Sequence, residues 1–228
     1  MKIEINSLVL LKPKDREPKW FSIGFGYENS QSVDPEKNFG KSLLGAEVGD
    51  IISFGENFIV LEIKKNKNLE QGDLKHSILK SDDLLRLKRG HRITKRNLYD
   101  LIQFSKVPKS PYWNGDDSQI GNTPQQGINW IGKSPSLKGV IIKSKEGIYA
   151  DDGWSNGSRD SFNYSFKANK GVVNLQDKAN AVLIKQPRYS YPILLFSEDP
   201  ESELHWRFKG FFEVNDIKEK FVSLSKLK

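Results

Sequence analysis

Apolar and polar residues alternate with a period of two through much of the chain, the pattern of half-buried strands. In the first seventy residues such stretches run Ile3–Leu11, Trp20–Tyr27, Asp50–Phe54 and Phe58–Ile63, separated by Gly and Asn turns. The tripeptide GEN between Phe54 and Phe58 predicts a tight hairpin, and KKNKN from Lys64 to Asn68 reads as a solvated connector, with a boundary between Lys65 and Gly72. Ser81 before Asp82 and Asp83 predicts a helix start. Thr94 caps a second helix whose Leu98, Leu101 and Ile102 share one face. Lys106 to Gly127, with Pro108, Pro111, Gly115, Gly121 and Pro124, fits neither period and predicts a long loop of the kind that contacts ligands.

The last hundred residues return to strands. GINWIG (127–132) and LKGVIIK (137–143) precede a turn at Lys145–Gly147, then come GIYADDGW and the alternating SFNYSFK. A helix is expected from Asn174, with Leu175, Ala179, Val182 and Leu183 on one side, ending before Pro187, which removes a backbone donor. YPILLF (191–196), HWRFKGFFEV and KFVSLS complete the strands. The expected fold is α+β and β-rich. It comprises a small N-terminal β unit (1–70), a basic helical connector with its loop (71–126), and a C-terminal curled sheet or barrel with one packed helix (127–228).

Composition removes several chemistries. The 228 residues contain no Cys and three scattered His, so thiolate metal sites, cysteine nucleophiles and His-rich zinc sites are excluded. No apolar run approaches the roughly 18 to 20 residues that cross a bilayer. The opening MKIEINSLVLLKPKD is too short in its apolar part and too interrupted for a secretory signal, which predicts a cytoplasmic chain with no membrane partner. Charge is more informative for its position than its size. Between Lys75 and Lys109 stand ten Lys or Arg against Asp82, Asp83 and Asp100, which equals the whole net charge of +7. A local cationic stripe predicts a phosphate-facing surface, whereas a diffuse excess would not. The same charges on a solvated helical hairpin would do nothing specific.

The succession GINWIG, VIIKSKEGIYADDGW, FNYSF, a helix bearing NAVLIK, YPILLF and WRFKGFFEV resembles the SRA-like DNA-reading domains of the PUA superfamily, which accompany modification-dependent restriction nucleases. The likeness covers residues 127–224 and is strongest at Tyr149–Trp154, Phe162–Tyr164 and Lys209–Phe211, while KANKGVVN replaces the Gly- and Asp-rich segment usual after the Phe-x-Tyr strand. It implies a barrel that accepts an extruded base. Residues 39–54, FGKSLLGAEVGDIISF, resemble the C-terminal domain of Gre-type transcript-cleavage factors, although a Gly-rich β-turn accounts for the same string.

A base reader needs π-faces for stacking and polar groups for the base edge, because extrusion costs a few kcal/mol. Trp113, Trp130, Tyr149, Trp154 and Tyr164 are the candidate faces, and Asn129, Asp151 and Asp152 the candidate polar groups. Core packing is the alternative fate of each ring, and an Asp-Asp-Gly turn that of the carboxylate pair. Arg92, Lys95, Arg96, Lys106 and Lys109 are expected on phosphates. The expected partner is double-stranded, modified DNA in a restriction or phage-defence setting, with no cofactor, and with a separate nuclease subunit or a homodimer possible. One alternative is a magnesium-dependent restriction endonuclease, but Asp151 or Asp152 is not followed by the Glu-x-Lys or Gln-x-Lys such a core requires. Another is a protein-interaction module for an acidic partner.

Overall fold

The computed structural model describes residues 1–24, 30–65, 80–145, 151–157 and 159–227. Its N-terminal part holds β1 (Ser7–Pro13), β2 (Lys19–Ile23), β3 (Ser30–Val33), α1 (Asn38–Leu43), β4 (Ile51–Phe54) and β5 (Glu56–Lys65). The strands form one sheet in the order β3-β2-β1-β5-β4, with β3 parallel to β2 and the other pairs antiparallel. The hairpin read from GEN is there: Phe54 pairs with Glu56 around Gly55, whose φ of 69° suits glycine. Val9, Leu11, Phe21, Ile23 and Val60 point to one face and build a core with Leu43 of α1. Leu8, on the opposite face of β1, enters a different core shared with the rest of the chain.

Downstream follow β6 (Arg92–Thr94), α2 (Lys95–Phe104), β7 (Ile120–Gly121), β8 (Ile128–Lys133), β9 (Ser136–Ser144), β10 (Gly153–Trp154), β11 (Ser161–Ser165), β12 (Ala168–Asn169), β13 (Val172–Val173), α3 (Lys178–Tyr189), β14 (Ile193–Asp199), β15 (Ser202–Ile217) and β16 (Phe221–Lys226). All these strands except the β12–β13 hairpin belong to one sheet, ordered β10-β11-β16-β15-β14-β9-β8-β7, with β6 adding to β15. Among the described residues the edge strands β10 and β7 do not pair, so the sheet takes the curled form of the expected architecture and not a closed barrel. Its central β9–β14 pair is parallel. One core lies under α3, with Phe162, Leu183, Leu195 and Phe212 fully buried. The other lies under α2, where Leu98, Leu101 and Ile102 meet Phe196, Phe208 and Leu8.

The helix ends follow local chemistry. Thr94 Oγ1 accepts the Asn97 N–H at 3.0 Å, the cap expected of it. The Ser81 start opens a 3-10 helix, Ser81–Arg86, in which Asp83 accepts the Lys80 N–H at 2.8 Å. α3 begins later than expected, capped by Asp177 on the Ala179 N–H at 2.9 Å, and carries Pro187 inside its last turn. Only one backbone donor is lost there, and Ser190, in the left-handed region, closes the helix through its N–H on the Gln186 carbonyl at 2.7 Å. The loop expected over 106–127 is divided by a 3-10 turn, Asp116–Ser118, and by β7. α2 also joins the two sheets: Gln103 Nε2 donates to Asp34 Oδ2 at 2.7 Å, and Arg96 reaches Ser32 Oγ.

Candidate functional site

Three strands separate β11 from β9 within the large sheet, yet curling brings them face to face without pairing. Hydrogen bonds from Tyr164 and Asp152 cross this seam. The Tyr164 hydroxyl donates to the Lys143 carbonyl at 3.4 Å. Asp152 accepts Ser144 Oγ with Oδ2 and the Ser165 N–H with Oδ1, both at 2.7 Å, so a single carboxylate clasps the end of β9 to the end of β11. Gly127 permits the approach, because a Cβ there would sit 2.6 Å from the Tyr164 hydroxyl.

A cleft of about 700 Å³ opens along the seam. One wall is α2, through Lys95, Leu98 and Tyr99. A second is Pro124–Ile128 with Lys143 and Lys145, and a third is Asp152 and Tyr164–Ala168, with Ala179 and Trp206 completing the lining. The Lys95 ammonium lies 5.1 Å from the Trp206 ring centre, a cation–π contact, and Gln125 Nε2 donates to the Tyr99 hydroxyl at 3.0 Å. Lys145 (2.8 Å) and Lys95 share the Glu198 carboxylate, and their hydrogen bonds hold it below the usual carboxylate range. Lys167 pairs with Asp177 at 3.0 Å. Lys143 differs: its Nζ donates to the Pro124 carbonyl at 2.5 Å, and burial pushes its pKa down to about 8.

Of the residues expected to form a base pocket, Asp152 and Tyr164 meet in this cleft, together with Lys95 from the phosphate set. Asn129 is fully buried and donates to the carbonyls of Gly121 (3.2 Å) and Thr123 (3.0 Å), holding the loop before β8. Trp130 packs against the core under α3 and against Gly121. Trp154 sits edge-on to Phe162 at 5.1 Å, in the same core. Trp113 is half-buried, and its carbonyl accepts Lys80 Nζ at 3.1 Å. Asp151 is half-buried beside Asp152, and Tyr149 lies outside the described residues.

Four of the five cations expected on phosphates bind protein groups through their side chains, Lys95 doing so on Glu198. Arg92 pairs with Asp199, a carboxylate with no exposed surface that Arg207 also contacts at 2.9 Å. Arg96 pairs with Asp100 at 2.8 Å, one helical turn away. Lys106 donates to the Asn122 carbonyl at 3.1 Å, and burial lowers its pKa. Lys109 is exposed, and its carbonyl accepts Asn6 Nδ2 at 2.6 Å. Both guanidinium side chains remain above two-fifths exposed, although Arg96 also donates to Ser32 Oγ and Arg92 Nη1 lies 4.0 Å from a Glu201 carboxylate oxygen.

The sequence reading did not single out Lys143, Lys145, Tyr99, Gln125 or Trp206 as site residues. Only Lys143 left a trace, as a cation ending the apolar run Val140–Ile142.

No protein-family model and no curated protein matches the chain. Among solved structures it is similar to the DNA recognition domain of the cytosine modification-dependent restriction endonuclease LpnPI, at 18% identity and a TM-score of 0.40, over 66% of this chain and 77% of that one. It is also similar to the DNA modification-dependent restriction endonuclease AspBHI (14%, TM-score 0.36, 48% of this chain and 64% of that one). KRYPTONITE in complex with mCHG DNA and SAH is a third neighbour (14%, TM-score 0.40, 65% and 37%). The chain therefore spans less than two thirds of the latter two. Among the described residues, no helix is long and apolar enough to cross a membrane.

Proposed function

We propose that this chain is a DNA-binding module that reads modified duplexes, admitting a base into the seam cleft while the cationic stretch of residues 80–109 lies along the phosphates. The observation that carries this reading is the cleft itself. It gathers the half-buried Tyr99 ring and the largely buried Tyr164 and Trp206 rings with the ammonium groups of Lys95, Lys143 and Lys145. Stacking contributes about 1 to 3 kcal/mol per base, enough to offset extrusion. Asp152, fixed by two donors, is oriented to accept from an amino group only at lone pairs those donors leave open. A role in restriction or phage defence, alongside a separate nuclease subunit, is part of the same proposal.

Fluorescence anisotropy with unmodified, methylated, hydroxymethylated and phosphorothioated duplexes, each with and without magnesium, tests it. One modified duplex is expected to bind best. Its affinity should fall steeply between about 50 and 200 mM salt as counterions released by bound phosphates are driven back. Equal weak binding to all four duplexes would overturn the reading. Magnesium-dependent cleavage in the same panel would identify an endonuclease instead; among the described residues no group of three or more His, Asp or Glu is placed to hold a metal.

A further inference from the structure

We propose that Lys143 is the ligand-receiving group of the seam cleft, its Nζ donating to an oxyanion of the entering nucleotide, either a backbone phosphate or an acidic substituent on the base. This rests on the nucleotide-binding reading of the cleft. An ammonium carries three N–H donors, and Lys143 uses one on the Pro124 carbonyl. The other cations of the cleft have counter-ions: Glu198 serves both Lys95 and Lys145, and Asp177 serves Lys167. The remaining carboxylate, Asp152, is engaged by Ser144 and Ser165. Among the described residues no carboxylate forms an ion pair with Lys143, although it is the cation whose burial lowers its pKa furthest.

A desolvated ammonium without a counter-ion is unfavourable, and the hydrogen bond to the Pro124 carbonyl needs only a donor, not a charge. A cation retained at the wall of an accessible cleft is instead matched to a ligand that brings the missing charge. The titratable groups that line the cleft with it are Lys95 and Tyr99 from α2, Lys145 beyond β9, Asp152, and Tyr164 and Lys167 from the opposite wall. Three of the six are cations, so an incoming oxyanion gains from all of them and Lys143 gains most.

The test uses the full chain labelled with carbon-13 lysine, following the Lys143 side-chain resonance, assigned with K143R, through a pH titration. Deoxycytidine, deoxycytidine 5′-monophosphate and 5-carboxydeoxycytidine are the probes. An oxyanion bound at Nζ should raise the Lys143 midpoint by about one unit or more, while deoxycytidine leaves it unmoved. A shift with the monophosphate assigns the phosphate as the source, and a shift with the carboxylated nucleoside assigns the base. In parallel, K143M should bind the preferred duplex about ten-fold more weakly, and wild-type affinity should fall as pH rises past 8 while that of K143M stays flat. A midpoint unmoved by both oxyanions, or K143M affinity equal to wild type, overturns the assignment and leaves DNA reading standing. A midpoint that shifts in a chain that binds no duplex keeps Lys143 and removes DNA reading. The wild-type titration decides the matter even if K143M fails to fold.

Discussion

Replacing Asp152 by Ala removes a side chain that binds both walls of the seam. Two hydrogen bonds of 2.7 Å are lost, and Ser144 Oγ, on a residue 1% exposed, is left in the interior without that acceptor. A hydrogen bond to a charged acceptor contributes about 1.5 to 3 kcal/mol. Asp152 is itself only half-buried, so solvent screening places the combined loss near 2 to 4 kcal/mol. For a chain of this length that corresponds to a fall in Tm of roughly 5 to 15 °C. Asp152→Asn keeps a carbonyl oxygen for the Ser165 N–H and can donate its amide to Ser144 Oγ, so it should restore at least half of the loss. Urea denaturation gives the free energies, and hydrogen exchange at the Ser165 amide reports whether the clasp opens locally. An Ala variant within about 0.5 kcal/mol of wild type would refute the clasp. So would an Asn variant as unstable as Ala. A carboxylate kept for magnesium predicts the opposite ordering, with Asn damaging activity and stability left nearly intact.

Lys143 is held at about 8 against its ordinary 10.5, so between these values the unfolded chain carries a proton that the folded chain has released. Stability of wild type relative to K143M should therefore rise by roughly 2 to 3 kcal/mol from pH 8 to pH 10.5 and be flat below pH 8, measured by urea midpoints. Glu198→Gln should free Lys95 and Lys145 for phosphate, raising duplex affinity at low salt and steepening the salt slope by about one to two contacts in anisotropy titrations. Gly121→Ala would place a Cβ 2.0 Å from Trp130 Nε1 and should cost about 1 to 3 kcal/mol by calorimetry, since both groups lie in strands that cannot easily part.

Much of the strand content was legible because alternation is local: β11 falls within its apolar stretch, and β5, β8, β9, β14 and β16 overlap theirs with ends shifted by one to three residues. The Thr94 cap was legible for the same reason. β3 was not, because SQSV is polar and owes its place to parallel pairing with β2. Nor was α1, whose NFGKSL follows a turn and depends on Gly40, where a Cβ would meet the Asp34 carbonyl at 2.1 Å. The site divides along similar lines. Tyr164, Asp152 and Lys95 stood out by residue type. Trp206, Tyr99 and Lys143 join them only once the sheet curls, and no local spacing encodes that curvature. The Arg96–Asp100 pair was readable as an i,i+4 contact, whereas Arg92–Asp199 spans more than a hundred residues.

The parallel β9–β14 pair makes assembly of the cleft a long-range event. Strands adjacent in space are linked by an excursion running from residue 145 to residue 192, and that excursion supplies Asp152, Tyr164 and the α3 side of the hollow. Such long-range pairings form late, since closing a loop of this size must precede any gain from it. The cleft draws on residues from both sides of that excursion, so a chain that has not yet paired β9 with β14 has the cations of residues 80–109 without the completed hollow.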